Sequence, residues 1–304
     1  MTKIDSDEVS TVKRRKFLAA GAGLAGSGSW AGLGDPAIAQ GVAKRLWVCP
    51  PNRYQIALNG PALTLDCLAP GMLPDDGWQS APEGAGEPLV TIGPQEQPVS
   101  WALAAWDQPD RFTQNIALQA TDRPLQAHVT FTVDEPSGLL ARRTELRHSG
   151  SGETDIRSTL GFSAAIHEPI RRIFHLSGGW MEEANIQRVH PGAGELTLES
   201  RAGKTGFDFQ PYLALRTDTS TYLCQLLWSG NWTLRVVPGQ TGAIVLGGFN
   251  NWQFRHRLRA GDSLELPTVL FGRFDGPLGI ATRHLHDYRR AHRPDPDRAI
   301  PVQF

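Results

Sequence analysis

Cysteine is scarce: 304 residues hold 3, at Cys49, Cys67 and Cys224. So few cannot build a disulfide scaffold and allow one bridge at most. None stands in a CxxC pair or in a Cys/His cluster with zinc spacing, which excludes a zinc module. A surplus of either charge is also missing. Lys+Arg number 30 and Asp+Glu 31, for a net charge of -1. That excludes the basic excess of a general nucleic-acid binder and the charge block of an acidic tail. No GxSxG elbow occurs. Ten-residue helical patterns between strands, which a parallel α/β sheet requires, are absent as well. What the chain does have is 40% hydrophobic residues, 32 Gly, 22 Pro and 9 Trp. This is core material for one large domain or two ordinary ones, with many turns.

The first forty residues read as an export signal. Lys13-Arg14-Arg15-Lys16-Phe17-Leu18 precedes a weakly apolar, Gly/Ala-rich stretch from Ala19 to Leu33, and Ala37-Ile38-Ala39 has the small-x-small form of a cleavage site. This pattern resembles a twin-arginine secretion signal, with Arg14 and Arg15 as the pair. Residues 1–39 are then the signal, the mature chain starts at Gln40, and its destination is the periplasm or the outside of a bacterial cell. A spanning helix would need about 20 strongly apolar residues, and glycines interrupt this stretch. Gly21 to Gly26 matches GxGxxG. It follows a basic tract instead of a strand and lies in the segment to be cleaved, so a dinucleotide site is rejected. Asn231-Trp232-Thr233 fits a glycosylation sequon, which a bacterial-type export route sets aside.

The mature part reads as strands. In Ala127–Val133, Val129, Phe131 and Val133 alternate with His128, Thr130 and Thr132, the period of a half-buried strand. Further strands are predicted over 139–147, 155–166, 195–200, 212–217, 222–227, 232–237, 243–246, 252–258 and 263–271, separated by turn residues. That spacing belongs to a sandwich or barrel. One helix is predicted over 277–290, with Asp275 as N-cap and Leu278, Ala281, Leu285 and Tyr288 as its apolar stripe. The segment from Leu68 to Gln97 is rich in Pro and Gly and reads as a long loop.

Candidate chemistry is thin. Glu182-Glu183 is a tempting carboxylate pair, but neighbours on a strand point to opposite faces and cannot flank one bond. His284 and His286 are two apart on a predicted helix, where zinc pairs prefer i, i+4. No metal site and no cofactor are expected. Trp228, Trp232 and Trp252 are assigned to the core, the default for large apolar rings. Trp78 lies in the Pro/Gly-rich loop beside Asp75 and Asp76. A tryptophan with neighbouring carboxylates can stack on a sugar face and accept its hydroxyls. These three are the candidate carbohydrate-binding residues.

Several segments, in order, carry a resemblance: Phe174-His175-Leu176-Ser177-Gly178-Gly179-Trp180-Met181-Glu182-Glu183, Phe209-Gln210-Pro211-Tyr212, Leu227-Trp228-Ser229-Gly230-Asn231-Trp232, Gly247-Gly248-Phe249-Asn250, and Leu258 to Pro267. Together they resemble the N-terminal domain of family 36 glycoside hydrolases, the α-galactosidase-like family. The resemblance implies an all-β fold over residues 40–304, a large antiparallel β-supersandwich (galactose-mutarotase-like) with one C-terminal helix. It also implies that Glu182 is structural, and that a (β/α)8 barrel following this domain holds the catalytic aspartates. No catalytic residue is therefore assigned to this chain. The expected function is the non-catalytic sandwich domain of an α-galactosidase-type enzyme, as a truncated product or as one half of a split enzyme. Its partners would be a separately encoded barrel, docking near the apolar Ile300–Phe304, and an α-galactoside sugar. The alternative is a stand-alone exported carbohydrate-binding or structural module.

Overall fold

The computed structural model describes residues 43–293, apart from 51, 60–61, 70, 73–87, 180, 207 and 240. Arg14 and Arg15, the candidate trio Asp75, Asp76 and Trp78, Trp180, and Ile300–Phe304 all lie outside the described residues. In chain order the strands are β1 (Ala43–Cys49), β2 (Asn52–Asn59), β3 (Ala62–Cys67), β4 (Leu89–Ile92), β5 (Gln97–Pro98), β6 (Trp101–Asp110), β7 (Thr113–Ala120), β8 (Leu125–Val133), β9 (Leu140–His148) and β10 (Glu153–Ile166). They continue with β11 (Arg172–Ser177), β12 (Asn185–Val189), β13 (Leu196–Ser200), β14 (Phe209–Arg216), β15 (Ser220–Leu227), β16 (Trp232–Pro238), β17 (Ala243–Phe249), β18 (His256–Arg259), β19 (Ser263–Glu265) and β20 (Thr268–Asp275). Helix α1 (Leu278–Ala291) follows.

These strands form two ten-stranded sheets. The first runs β1-β2-β3-β10-β17-β16-β13, with β18, β4 and β5 attached around β10; the second runs β12-β11-β14-β15-β20-β9-β8-β7-β6, with β19 on β9. The pairings are antiparallel except β3 with β10, where Asp66 sits opposite Ala165. The result is the expected antiparallel β-supersandwich, with one helix among the described residues.

Side-chain alternation dictates the layering. On β7 and β8 every second residue is buried, including Ile116, Leu118, Val129 and Phe131. These meet Tyr54, Leu65, Phe162 and Trp232 from the facing sheet in one core. The long strand β10 shifts register between Leu160 and Phe162 against β17. Gly248 sits at that irregularity, and a Cβ on it would lie 2.7 Å from the Leu160 Cα. Glycine is required there by the close approach of two backbones.

Helix α1 closes the outer face of the second sheet. Its predicted stripe holds: Ala281, Leu285 and Tyr288 are buried against Tyr212, Leu223, Leu270 and Phe274. The predicted cap does not. Asp275 is the last residue of β20, and Pro277 occupies the N-cap with no side-chain hydrogen bond. Three other expectations need correction. The strand predicted from Trp252 starts only at His256, because 252–253 turn. The strand predicted over 263–271 is two, β19 and β20. The loop from Leu68 to Gln97 carries a strand, β4.

Candidate functional site

Three features stand out in the described residues. The first is a polar network between the sheets. Strand β10 ends at Ile166, and His167 and Glu168 leave it on opposite errands. His167 Nε2 lies 2.6 Å from Asp66 Oδ1 on β3. Burial pushes the Asp66 carboxyl above the usual carboxylate range, and the bond to His167 opposes that rise. Glu168 faces the other sheet instead. It accepts hydrogen bonds from Arg273 Nε at 3.0 Å, from Thr217 Oγ1 at 3.3 Å, and from the Tyr222 hydroxyl. Arg273 also donates to Asp275 Oδ1 at 2.8 Å and to Ser220 Oγ. Burial pushes the Tyr222 hydroxyl well above its ordinary value, with Cys67 and Glu168 adding to the effect. These groups hold β3, β10, β15 and β20 to one another.

The second feature is an aromatic shelf where β16 and β17 meet. Trp232 pairs across the ladder with Phe249. Trp232 is fully buried and donates from Nε1 to the Thr205 carbonyl at 2.6 Å. Trp228, four residues earlier, stands edge-on to Phe249 with ring centres 4.8 Å apart, and Phe249 stacks on Phe254 at 5.1 Å. Thr205 stitches the turn: its hydroxyl donates to the Trp228 carbonyl and accepts from the Gly230 N–H. Gly230 has φ 137°, and a Cβ there would meet the Trp228 indole nitrogen at 3.0 Å. Beyond β17, Asn250 Oδ1 accepts the N–H of Trp252 at 2.8 Å and fixes a second turn. Trp228 is 38% exposed and Trp252 44%. Their expected place in the core is thus corrected: only Trp232 packs there. Exposed indole rings beside asparagine and threonine groups have the chemistry of a sugar platform, apolar on the face and hydrogen-bonding at the rim.

The third is a cleft of about 420 Å³ at the open edge between the sheets, lined among others by Ile170, Ile173, Val189, Leu196 and Val236. Glu195 is its one carboxylate among the described lining residues. Arg235 holds it with two bonds of 2.5 Å and, more than any other cause, draws its pKa below the usual range. A retaining glycosidase needs two carboxyl groups about 5–5.5 Å apart across the sugar. The described cleft does not offer that pair.

The other residues singled out in the sequence fall as follows. Glu182 and Glu183 are exposed in a turn rather than on a strand. Glu183 accepts the N–H of Met181 at 3.2 Å, a local turn contact. His284 stacks on Phe274 and its Nδ1 lies 2.9 Å from the Ser137 carbonyl. His286 is exposed on the helix. The three cysteines are free and buried. Sequence reasoning missed Asp66, His167, Glu168 and Arg273. The one local signal was a polar His167-Glu168 closing an apolar strand.

Among the described residues, two ten-stranded sheets with one helix across an outer face define the class, a β-supersandwich. Residues 93–259 match the glycosyl hydrolase family 36 N-terminal domain, and the chain belongs to that family. It is 30% identical over 176 residues to Alpha-galactosidase 2 of Pediococcus pentosaceus, covering 54% of this chain and 24% of that one. It is 22% identical over 205 residues to the bifunctional alpha-galactosidase/sucrose kinase AgaSK of Mediterraneibacter gnavus, covering 65% and 22%. In structure it is similar to the α-galactosidase AgaA of Geobacillus stearothermophilus, with a TM-score of 0.70 at 17% identity over 86% of this chain and 45% of that one. The chain therefore spans about a quarter of the length of these curated relatives.

Proposed function

We propose that this chain supplies the sandwich half of an α-galactosidase-type glycoside hydrolase and does no hydrolysis by itself. The observation that carries the reading is the family match over residues 93–259, joined to a fold equivalent to somewhat under half of an α-galactosidase chain. Chemistry supports it. By the family resemblance both catalytic aspartates belong to the barrel, and the cleft in the described sandwich holds a single, salt-bridged carboxylate. The barrel is supplied in the same polypeptide or by a separate one, and Asp75, Asp76 and Trp78 serve as the sandwich's contribution to the sugar pocket. Arg14 and Arg15 direct the chain through the twin-arginine route to the periplasm or beyond. A second reading, a stand-alone exported carbohydrate-binding module, draws on two exposed rings, Trp228 on the shelf and Trp252 in the turn after β17.

The test is an assay of the purified chain with a chromogenic α-galactoside, alone and mixed with a family 36 barrel polypeptide from the same genome. No turnover alone and turnover on mixing is the expected outcome. Robust turnover by the chain alone would overturn the reading, and a carboxylate scan starting from Glu182 and Glu183 would follow.

A further inference from the structure

Strand β18 lies along the first part of β10, with Arg257 opposite Asp155 and Arg259 opposite Glu153. Thr154, Ile156 and Leu258 take the inward positions and are buried. The other parity faces out. It sets Arg257 and Arg259 in a row, continues it backward to Arg255, and places Arg157 on the neighbouring strand. Two carboxylates serve all four guanidiniums. Asp155 meets Arg255 Nε at 2.9 Å and Arg157 Nη2 at 2.9 Å. Glu153 meets Arg259 Nε at 3.2 Å and Arg257 Nε at 3.4 Å. Asp262 Oδ2 accepts the Arg259 backbone N–H at 3.0 Å and adds a third carboxylate, so the strip keeps a formal excess of one positive charge on a chain whose net charge is -1.

The carboxylates order this row without covering it. Arg255, Arg257 and Arg259 each meet their partner through Nε, and their side chains stay 52%, 50% and 72% exposed. A guanidinium carries five donors, so a second anion can use those that remain. Trp252 stands three residues ahead of Arg255, exposed in the turn closed by the Phe254 N–H to the Asn251 carbonyl. An ordered row of guanidiniums, with an exposed indole three residues ahead in the chain, fits a chain of sugar rings bearing anionic groups. The indole covers a ring face while the arginines take carboxylates or sulfates. A protein partner would want a buried aromatic or aliphatic anchor at the centre of the patch, and a nucleic acid would want a broad basic field. The strip offers neither.

We infer that the β18–β10 arginine strip, together with Trp252, is a binding site for an acidic polysaccharide. It does not depend on a barrel.

Affinity electrophoresis of the full chain tests this in gels containing polygalacturonate, dextran sulfate or neutral galactomannan. Retardation by polygalacturonate assigns a carboxylate-bearing polymer and retardation by dextran sulfate a sulfated one. Added salt should weaken either, since exposed charges are screened. Arg257→Glu/Arg259→Glu should cut affinity by about tenfold. Arg257→Gln/Arg259→Gln should weaken binding by less and guards against a folding defect, as does an unchanged melting temperature. Trp252→Ala should reduce affinity several-fold. Arg283→Glu/Arg289→Glu, the same change of charge on helix α1, should leave binding intact. No retardation by either acidic polymer, equal retardation by galactomannan, or tighter binding of poly(U) would overturn the inference. So would strip variants that bind like the native chain, or helix variants that lose as much as the strip variants. An unchanged Trp252→Ala would overturn the aromatic part.

Discussion

Glu168, on the segment leaving one sheet, accepts a hydrogen bond from Arg273 Nε on the other sheet at 3.0 Å. Both side chains are nearly buried, at 16% and 6% exposure. Removing one partner of such a pair leaves the other charge desolvated, which costs about 3–5 kcal/mol. Arg273→Met should lie toward the lower end, because Glu168 keeps the Tyr222 and Thr217 hydroxyls. A loss of about 3 kcal/mol corresponds to a fall in melting temperature of about 6–12 °C for a domain of this size. Calorimetry of Arg273→Met and Glu168→Ala measures it. A change of a degree or less in both would mean that the network does not hold the sheets together.

The tryptophans should separate cleanly by environment. Trp232 is fully buried and bonded to Thr205, so Trp232→Ala should cost about 3–5 kcal/mol. Trp228→Ala and Trp252→Ala remove rings that are partly in water and should cost about 1 kcal/mol or less. Urea denaturation of the three variants gives the ranking. If Trp252→Ala proved as damaging as Trp232→Ala, the exposed placement of Trp252 would be wrong.

Two carboxylates should give stability opposite dependences on pH. Asp66 is buried, and its value in the fold lies above the ordinary 3.8. A group raised in this way stabilises while protonated, and that contribution is lost as pH rises from the unfolded value through the folded one. The stability of Asp66→Asn relative to the native chain should therefore climb across that window. Glu195 is lowered from 4.5, chiefly by Arg235. Its contribution is present above the unfolded value and is lost as pH falls through the folded one. The deficit of Glu195→Gln should thus be full in neutral solution and shrink in acid. Urea titrations from about pH 3 to about pH 7 read both slopes. Parallel slopes for the two variants would contradict the assignment of Asp66.

How much of this was legible in the sequence follows from how each strand is buried. β8 alternates perfectly, and β9, β10 and β14 to β17 carry enough apolar residues to stand out. β6 and β12 are edge strands with mostly exposed side chains, so the period that marks a half-buried strand is missing from them. The turn at Trp252 was hidden because an Asn250 side chain, not a Gly or Pro, closes it. The network was illegible for a different reason. Asp66 and His167 are 101 residues apart and meet only because β3 lies parallel to β10. Glu168 and Arg273 are 105 apart and meet across the sandwich. Local pattern carries no information about such partners. Size alone misplaces Trp228 and Trp252 but not Trp232: Trp228 sits in a turn, where Gly230 packs on its indole edge and leaves the ring partly open.

Arg14 and Arg15 precede Phe17-Leu18 and a weakly apolar stretch, and Ala37-Ile38-Ala39 has the small-x-small form of a cleavage site. The weakness of the apolar stretch matters: glycine and alanine bury little surface, which favours the proposed address over a simple membrane anchor. Lysine keeps the positive charge but not the planar five-donor guanidinium, so Arg14→Lys/Arg15→Lys isolates recognition from charge. That variant should accumulate as precursor in the cytoplasm. The native chain should reach the periplasm or the medium with Gln40 as its first residue by mass spectrometry. Undiminished export of the double-lysine variant would sink the assignment, and an intact N-terminus on the exported native chain would sink the cleavage site.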